Sequence, residues 1–477
     1  MRRLPEQAAP LPRWVRLADA VAIAALALSA QAAASGGFRF DIAGIGLSVT
    51  SWFRPLAFAA AILALRHAVC RRSPLHERLR RGVRRLGQDA SVRAVFPIWA
   101  ATRFGVLLVG LLAMGAFGFR ENTAPFRIYE TEALNLPARF DAGWYLDVAA
   151  NGYKWDPGSA GQQNIAFMPA LPLLMRVGGR LLGGHPLWAG QIIVLAAGLW
   201  GFVYVHRLAR AQLGDEARAA TAVALQASYP FAVFYSAVYT EALYLLGAAG
   251  AFYHVARRQY WRTAAFAFLC GLARPHGFLL ALPLWLAVFW PALVESRSAG
   301  VSVLGRRLVG ALRASAPAAL ASGAAVAGVL LFSGYVAALT GRPFTWLEAH
   351  QAWGRVFGAW LSEGPIQEIS YRGVCGYVLA QPIDALNLSA AVGCLAAIWP
   401  VTKRLGPACG ALVAVLLLPP LAAGGVISIG RITSVGFPVF IWLAGAIPVR
   451  SRAPWIAVFA MLQGWGASLF FTLRGFI

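Results

Sequence analysis

The chain has 477 residues, of which 59% are hydrophobic and only 13% are charged, and its formal net charge is +23. This composition excludes an ordinary water-soluble domain and indicates a polytopic membrane protein. The arginines fall in short runs between apolar stretches, as the positive-inside rule predicts, so the charge argues against a nucleic-acid partner. The cysteines show no paired spacing, so we predict neither a disulfide framework nor a metal site.

The N-terminal segment admits two interpretations. An arginine-containing start followed by an apolar stretch near 17–35 is typical of a signal peptide, cleaved after an A-Q-A sequence, or of an uncleaved signal anchor. The apolar stretch is long for a signal peptide, which favours the anchor. We therefore predict a two-span N-terminal module with a basic cytoplasmic linker over residues 1–93, followed by the main membrane domain over residues 94–477.

Apolar segments of spanning length recur along the whole chain. A helix needs about 20 apolar residues to cross the hydrocarbon core, and fewer when it is kinked. On this basis we predict an all-α protein with about 13 transmembrane helices and long external loops. The predicted spans lie near 17–35, 53–69, 94–118, 186–206, 217–236, 239–257, 262–274, 276–292, 315–338, 378–400, 407–425, 433–448 and 454–473.

The arginines predict which side each loop faces. With the N-terminus in the cytoplasm, every basic connection is cytoplasmic. This topology requires that the segment 166–184 lie at the interface without crossing, and that 262–292 form two short spans broken at LARPHG. The loops 119–185 and 341–377 then face outward, and long loops often carry function. We predict a multi-pass protein of a bacterial inner membrane with its active site on the external side.

The first long external loop contains RFDAGWYLDVAANGY, residues 139–153. One interpretation makes Asp141 the N-cap of a short interfacial helix, with Trp144 and Tyr145 as anchors at the membrane surface. The other makes Asp141 a carboxylate beside Arg139 that accepts a proton from a substrate hydroxyl. Both interpretations stay open at this stage.

Four segments resemble, in this order, the PIG-V family of membrane mannosyltransferases, which add the second mannose in eukaryotic GPI-anchor assembly. The resemblance covers roughly residues 94–477 and implies a GT-C-like helical bundle that acts without a cofactor. It also implies a polyprenyl-phosphate sugar as donor, mannose as the sugar, and transfer with inversion to an envelope lipid, glycan or protein. The segments are RFDAGWYLDVAANGY (139–153), NIAFMPALPLL (164–174), SYPFAVFYSAVYTEALYLL (228–246) and GLARPHGFLLALPLWL (271–286).

This sequence differs from the family motifs at several positions. The family's Trp-Asp pair reads Phe140-Asp141, which is a conservative change. Its Thr-Arg-Pro-Thr-Gly element keeps Arg274 and Pro275 but has His276 in place of the second threonine. Its Phe-Phe-Pro element reads Ala-Phe-Met-Pro at 166–169 and so lacks one aromatic residue.

These motifs assign roles by residue type. We expect Asp141 to take the acceptor proton, and Arg274, at a broken-helix turn, to bind the donor phosphate. Arg431 is a second candidate cation, although either arginine could instead extend to the interface. Glu241 could pair with Arg274, hold sugar hydroxyls, or be a plain loop-end acid. The predicted substrate-binding residues are Arg139, Phe140, Trp144, Tyr145, Tyr239, Glu241, Arg274, His276, Trp353 and Arg431.

A second external segment, TWLEAHQAWGRVFGAW, repeats tryptophan every seven residues. Trp346, Trp353 and Trp360 would then share one helix face, and Trp353 could stack on a sugar. The alternative is that the stripe anchors the helix at the membrane interface. His350 and His276 are both external in this topology, but two isolated histidines do not predict a metal site.

Other functions are compatible with the same features. A transporter or flippase for a lipid-linked sugar would also use basic, aromatic and apolar residues, but would place its charges near the bilayer midplane. The candidate residues here gather at one surface, which favours the transferase. A third hypothesis, a scaffold for envelope assembly, predicts that Asp141 tolerates substitution. The predicted partners are a polyprenyl-phosphate sugar donor, a lipid or glycan acceptor and membrane lipids, with no nucleic acid.

Overall fold

The computed structural model describes residues 11–35, 38–42, 45–298, 304–356 and 364–476. Within these ranges the chain is helical apart from loops and one short antiparallel hairpin. The predicted all-α class is confirmed. The predicted start of the chain in the cytoplasm falls on residues 1–10 and so lies outside the described residues.

Internal contacts divide the chain into two compact units. The first comprises Met1–Arg93 and Arg176–Ala189, and in it α1 packs along α2. The second comprises Ala94–Met175 and Gly190–Ile477. The elements up to residue 88 are α1 (Arg13–Ser35), β1 (Phe38–Ile42), β2 (Ile45–Val49), α2 (Phe53–Val69) and α3 (Leu75–Gln88).

The remaining α-helices carry the candidate site and the rest of the membrane domain. Short 3₁₀ segments join several of them, notably Pro230–Tyr235, Pro275–Leu280 and Ala349–Trp353. The helices are α4 (Ala90–Phe117), α5 (Ala142–Asn151), α6 (Ala170–Leu181), α7 (Pro186–Leu213), α8 (Glu216–Ala227), α9 (Glu241–Val255), α10 (Tyr260–Ala273), α11 (Ala281–Ser298), α12 (Leu304–Ser322), α13 (Ala324–Thr340), α14 (Thr345–Glu348), α15 (Gly364–Ala380), α16 (Pro382–Leu405), α17 (Pro407–Gly424), α18 (Ile429–Ser434), α19 (Phe437–Ala446) and α20 (Val449–Phe471).

Eight helical segments in the described part of the chain are long and apolar enough to cross a membrane. The protein is therefore an integral membrane protein. These segments are Arg13–Ala33, Ala90–Phe117, Pro186–Leu213, Pro275–Arg297, Leu304–Thr340, Pro382–Leu405, Pro407–Gly424 and Val449–Phe471.

The other predicted spans coincide with shorter helices. These are α2, α8, α9, α10 and α19, which contain 17, 12, 15, 14 and 10 residues. At about 1.5 Å per residue, none of them covers a hydrocarbon core of about 30 Å as a straight α-helix. The predicted count of about 13 spans is thus not confirmed.

The segment that we expect not to cross is indeed short. Its helix, α6, has 12 residues, a length of about 18 Å at the α-helical rise. It also leaves large apolar side chains exposed, including Leu173, Leu174 and Val177. An interfacial helix has these properties.

The predicted break within 262–292 is present. Helix α10 ends at Ala273, Arg274 is extended with φ −143° and ψ 147°, and a 3₁₀ segment leads into α11. Pro275 begins that segment, where its missing N–H leaves no helical hydrogen bond unmade.

Glycines let the broken helix approach its neighbour closely. A Cβ on Gly271 would collide with the carbonyl oxygen of Ala325 in α13, and one on Gly328 would lie 2.8 Å from the carbonyl oxygen of Phe268. Small residues at membrane helix contacts permit such backbone approach. The turn that carries Arg274 is therefore supported by the tight packing of α10 on α13.

Candidate active site

The predicted catalytic carboxylate meets an arginine that is distant in sequence. Asp141 stands immediately before α5, and Arg431 lies in the short helix α18. Arg431 Nη1 donates a hydrogen bond of 2.8 Å to Asp141 Oδ2. The side chain of Asp141 keeps 16% of its surface exposed and that of Arg431 20%, so the pair is neither sealed in the core nor freely solvated.

The structure corrects the N-cap interpretation of Asp141. The residue occupies the N-cap position of α5, but its side chain makes no capping hydrogen bond and its backbone is already helical, with φ −57° and ψ −18°. The preceding Phe140 has φ +47°, a left-handed conformation that a non-glycine residue adopts at a cost. The backbone N–H of Asp141 donates to the hydroxyl of Tyr239 at 3.0 Å. This local geometry directs the carboxylate to Arg431 instead of to the helix.

Of the three alternatives left open for Glu241, the pairing with Arg274 is present. Arg274 Nη1 donates to Glu241 Oε1 at 2.7 Å, and both side chains are buried. Arg431 Nε lies 3.6 Å from the same oxygen. Glu241, at the start of α9, therefore holds two arginines that come from different parts of the chain.

The electrostatics of Arg431 follow from these neighbours. Burial alone lowers the pKa of its guanidinium, but the carboxylates of Asp141 and Glu241 outweigh that effect and raise the pKa above its ordinary value. The guanidinium also lies over the rings of Tyr239 and Phe234, at 5.6 and 5.9 Å from the ring centroids. Arg431 is thus a fixed, permanently charged group.

Arg355 joins the cluster, although the sequence did not single it out. Its Nη2 donates to the carbonyl oxygen of Ile427 at 2.7 Å. Burial, and then the positive charges of Arg431 and Arg274, lower the pKa of Arg355 to about 10. The only indication in the sequence was that Arg355 is the single arginine of the tryptophan-rich segment TWLEAHQAWGRVFGAW.

Several polar atoms around this cluster have no hydrogen-bond partner within the described residues. All are buried, where an unpaired polar group is costly, so each is a candidate contact for a ligand. They are Glu241 Oε2, His276 Nε2, Arg355 Nη1 and Arg431 Nε.

Aromatic rings form a second cluster next to α5. Trp144 stacks on Phe167 with ring centroids 5.8 Å apart, and Trp353 contacts both rings edge to face at 5.8 and 5.6 Å. Tyr145 lies edge-on to Phe167 at 5.1 Å and to Tyr239 at 6.3 Å, which connects the rings to the ionic cluster. Phe167 lies in the Ala-Phe-Met-Pro segment at 166–169, to which the sequence assigned no definite role.

The predicted tryptophan stripe does not form one helix face. Helix α14 ends at Glu348 and continues as a 3₁₀ segment, which changes the periodicity from 3.6 to 3 residues per turn. Trp346 is buried, and its Nε1 donates to Ser333 Oγ at 2.9 Å, whereas Trp353 joins the aromatic cluster. Trp360 lies outside the described residues.

Two histidines lie near the clusters. His350 Nδ1 donates to the carbonyl oxygen of Trp346 at 2.8 Å, and its ring lies 6.4 Å from that of Trp353. Burial, opposed in part by this hydrogen bond, lowers the pKa of His350, and so do the charges of Arg355 and Arg431. His276 packs its ring against Tyr244, with centroids 5.7 Å apart.

The structure separates Arg139 from Asp141. Arg139 is fully buried and donates to the carbonyl oxygens of Phe471 and Asn135 at 3.0 and 2.9 Å. Its Nη2 pairs with Glu132 at 3.1 Å. The expectation that Arg139 stands beside the Asp141 carboxylate is wrong, because the turn at Phe140 sends the two side chains into different networks. Phe140 itself packs against Phe470, with ring centroids 5.3 Å apart.

The chain is similar to solved structures of an oligosaccharyltransferase from Archaeoglobus fulgidus. One, tethered with an acceptor peptide containing the NVT sequon, is 13% identical with a TM-score of 0.38, and the match covers 79% of this chain and 55% of that one. Another, in complex with an inhibitory peptide and a dolichol-phosphate, is 14% identical with a TM-score of 0.36, and the match covers 78% and 55%. This chain spans about half the length of those proteins, and similarity at these scores carries no argument about activity.

Sequence comparison identifies a family for part of the chain. No curated protein matches the sequence. The model of the family described as mannosyltransferase (PIG-V) matches residues 122–284. This range contains Asp141, Tyr239, Glu241 and Arg274, whereas Arg355 and Arg431 lie beyond it. The match confirms the resemblance that the motifs predicted and supports a membrane glycosyltransferase. The chain is thus an integral membrane protein whose residues 122–284 match the model of the family described as mannosyltransferase (PIG-V).

Proposed function

We propose that the protein transfers a sugar, mannose by its family match, from a polyprenyl-phosphate carrier to a hydroxyl of an envelope lipid, glycan or protein. We further propose that the reaction takes place on the external face of a bacterial inner membrane. The observation that carries the proposal is the charge of the cluster. Within the described residues, Arg274 and Arg431 pair with the carboxylates of Glu241 and Asp141. Arg355 makes no ion pair there but lies close enough for the charges of Arg431 and Arg274 to act on it, so the cluster has one positive charge that no carboxylate compensates.

A phosphodiester fits that excess charge. It carries one negative charge, whereas a diphosphate linkage carries two. Arg355 Nη1 and Arg431 Nε are buried donors that make no hydrogen bond within the described residues, and guanidinium groups bind phosphate oxygens in a fork geometry. The lowered pKa of Arg355 is further support, because a bound anion would relieve the repulsion that Arg431 and Arg274 exert on it.

The same cations would stabilise the leaving group. As the bond between the anomeric carbon and the phosphate oxygen breaks, its electron pair stays on the phosphate, whose charge rises from one to two. Fixed cations in a partly dehydrated site stabilise such developing charge without reorganising. In this scheme Glu241 is a positioning residue, because it holds Arg274 at 2.7 Å and Arg431 at 3.6 Å.

Asp141 is the proposed general base. Arg431 engages its Oδ2, and no hydrogen bond within the described residues engages its Oδ1. Oδ1 would accept the proton of the acceptor hydroxyl while the acceptor oxygen attacks the anomeric carbon from the side opposite the phosphate. A single displacement of this kind inverts the anomeric centre, as the resemblance implies. The alternative roles of Asp141, as a plain cap or as part of a tolerant scaffold, predict that Asn can replace it.

The aromatic cluster is the proposed sugar subsite. Trp144, Phe167 and Trp353 present ring faces and edges close to α5, whose first turn follows Asp141. Rings of this kind can cover the apolar face of a hexose, while Tyr239 and Glu241 offer polar contacts. Trp353 therefore keeps its predicted role in sugar stacking as part of the proposal.

A donor panel tests the proposed function. Purified protein would receive polyprenyl-phosphate mannose, polyprenyl-phosphate glucose, polyprenyl-diphosphate mannose or a nucleotide-linked mannose, each with a labelled sugar and an envelope-lipid extract. We expect a new glycosidic product from polyprenyl-phosphate mannose and little from the other donors. Transfer from the nucleotide sugar would contradict the proposed donor. Movement of the lipid-linked sugar across sealed vesicles without any new product would favour the transporter hypothesis.

A further inference from the structure

We propose that helix α3 lies on the bilayer surface and binds the headgroups of anionic phospholipids in the membrane that contains the protein. This function is separate from sugar transfer and uses none of the residues in the candidate active site. The helix belongs to the first compact unit, in the segment between the apolar helices α2 and α4.

One face of α3 is apolar and uncovered. Leu75, Leu79, Val83 and Leu86 follow one another at spacings of four, four and three residues, which places them on one side of an α-helix. None of the helix residues is buried, and Leu79, Val83 and Leu86 are all strongly exposed. Such a face requires an apolar medium, and lipid acyl chains at the interface provide one.

The opposite face is strongly basic. Helix α3 contains five arginines and a single acid, Glu77. Arg80, Arg84 and Arg85 make no ion pair within the described residues, so their charges are free to bind an external anion. Basic residues on an amphipathic helix are attracted to the negative surface of a membrane.

A buried salt bridge between α1 and α2 anchors one side of α3. Asp19 of α1 forms a buried salt bridge with Arg66 of α2 at 3.1 Å, and Arg78 of α3 also pairs with Asp19. Arg66 further donates to the carbonyl oxygens of Cys70 and Ser73, at 3.0 and 2.8 Å, in the connection between α2 and α3. Since Arg78 is held in this way, the helix cannot rotate freely to bury its leucines within the protein.

A membrane fits both faces better than the other polyanions do. A nucleic acid or an acidic protein tail could neutralise the arginines, but would leave the exposed leucines and valine in water. A bilayer with anionic lipids offers acyl chains to the apolar face and negative headgroups to the arginines, and α3 begins only a few residues after the apolar helix α2 ends. The positive charge and the apolar face of α3 therefore both favour a membrane with anionic lipids as the binding partner.

Depth measurements on the full-length protein test the proposal. A fluorescent label would be attached to Val83→Cys on the apolar face or, as the matched control, to Glu77→Cys on the opposite face. Both variants would carry Cys70→Ser and Cys375→Ser, because the other three cysteines are buried. The protein would be reconstituted in nanodiscs of phosphatidylcholine, with or without phosphatidylglycerol, made with brominated or unmodified acyl chains.

We expect brominated chains to quench the label at position 83 but not that at position 77, and phosphatidylglycerol to increase the quenching. High salt should remove the extra quenching that phosphatidylglycerol causes at position 83, because salt screens exposed charges. Replacing Arg80, Arg84 and Arg85 by Gln should remove it as well. The proposal would be overturned if aqueous iodide quenched the label at 83 as well as that at 77, or if phosphatidylglycerol had no effect. A label at 83 that responds to added DNA and not to lipid would likewise overturn it.

Discussion

Replacing Arg355 by Gln tests the proposed phosphate site through a residue outside the matched family region. In the proposal, Arg355 Nη1 donates to a phosphate oxygen of the donor. A hydrogen bond to a charged group contributes about 1.5–3 kcal/mol, which corresponds to about a 10- to 150-fold weaker donor affinity. The substitution also removes the hydrogen bond to the carbonyl of Ile427, an exposed residue whose carbonyl water can solvate, so we expect a loss of stability of only about 1 kcal/mol.

Gly424 offers a second way to perturb the same group. A Cβ at this position would lie 2.6 Å from Arg355 Nη1 and 2.7 Å from its Cδ. Gly424→Ala should therefore displace the guanidinium without removing its charge, and weaken donor binding less than Arg355→Gln does. Arg342→Gln is the matched control, because Arg342 lies close to Arg355 in the sequence but its side chain is 66% exposed and pairs with Glu348.

The assay is the rate of product formation as a function of polyprenyl-phosphate mannose concentration, at a fixed acceptor concentration. We expect KM for the donor to rise in the order Arg342→Gln, Gly424→Ala, Arg355→Gln, with Arg342→Gln equal to the unchanged protein. Thermal unfolding in detergent checks that all three variants are folded. An unchanged donor KM in well-folded Arg355→Gln would refute the reasoning.

Three further predictions concern the pairings and the topology. Arg274→Ala leaves the buried Glu241 without its nearest partner, so it should destabilise the protein by about 3–5 kcal/mol. Arg274→Lys keeps the charge and should lower Tm less. Equal Tm values for the two variants would contradict this prediction. His350 has a pKa below its ordinary value of 6.5, so the folded state disfavours its protonation and the stability of the protein should fall as the pH drops below about 6.5. A His350→Gln variant should show a flatter dependence of Tm on pH. The same dependence in both proteins would contradict the lowered pKa of His350. A cysteine placed within 76–86 should be protected from an impermeant reagent in intact cells while one within 155–160 is labelled, and the reverse pattern would overturn the sides that we propose.

The sequence predicted the helices better than their lengths. Apolar stretches located most of the long helices but not α3 or α15, and Pro275 correctly marked the break after α10. Lengths were less predictable, because packing against neighbouring helices allows short or interrupted helices such as α9 and α19. The side of the membrane that each loop faces stays a prediction from the arginine distribution.

The candidate site was predicted in part. The pairing of Glu241 with Arg274 was one of the alternatives that the sequence offered, because the two residues lie at the ends of the neighbouring helices α9 and α10. The contact between Asp141 and Arg431 joins residues 290 positions apart, and no local pattern encodes it. Adjacency in the sequence was misleading for Arg139, since one left-handed residue, Phe140, separates the two side chains. Arg355 escaped notice because a single arginine in a loop has no periodicity to distinguish it.

The rate of sugar transfer by Asp141→Asn tests the central claim most directly. Asn keeps the size of the side chain and an oxygen that can accept from Arg431, but its amide is a far weaker proton acceptor than a carboxylate. With the fold and donor binding verified, we predict that the rate of forming the new glycosidic bond at saturating donor falls by about 10²–10⁴-fold. Transfer at the unchanged rate by well-folded Asp141→Asn protein would contradict the proposal that Asp141 is the general base.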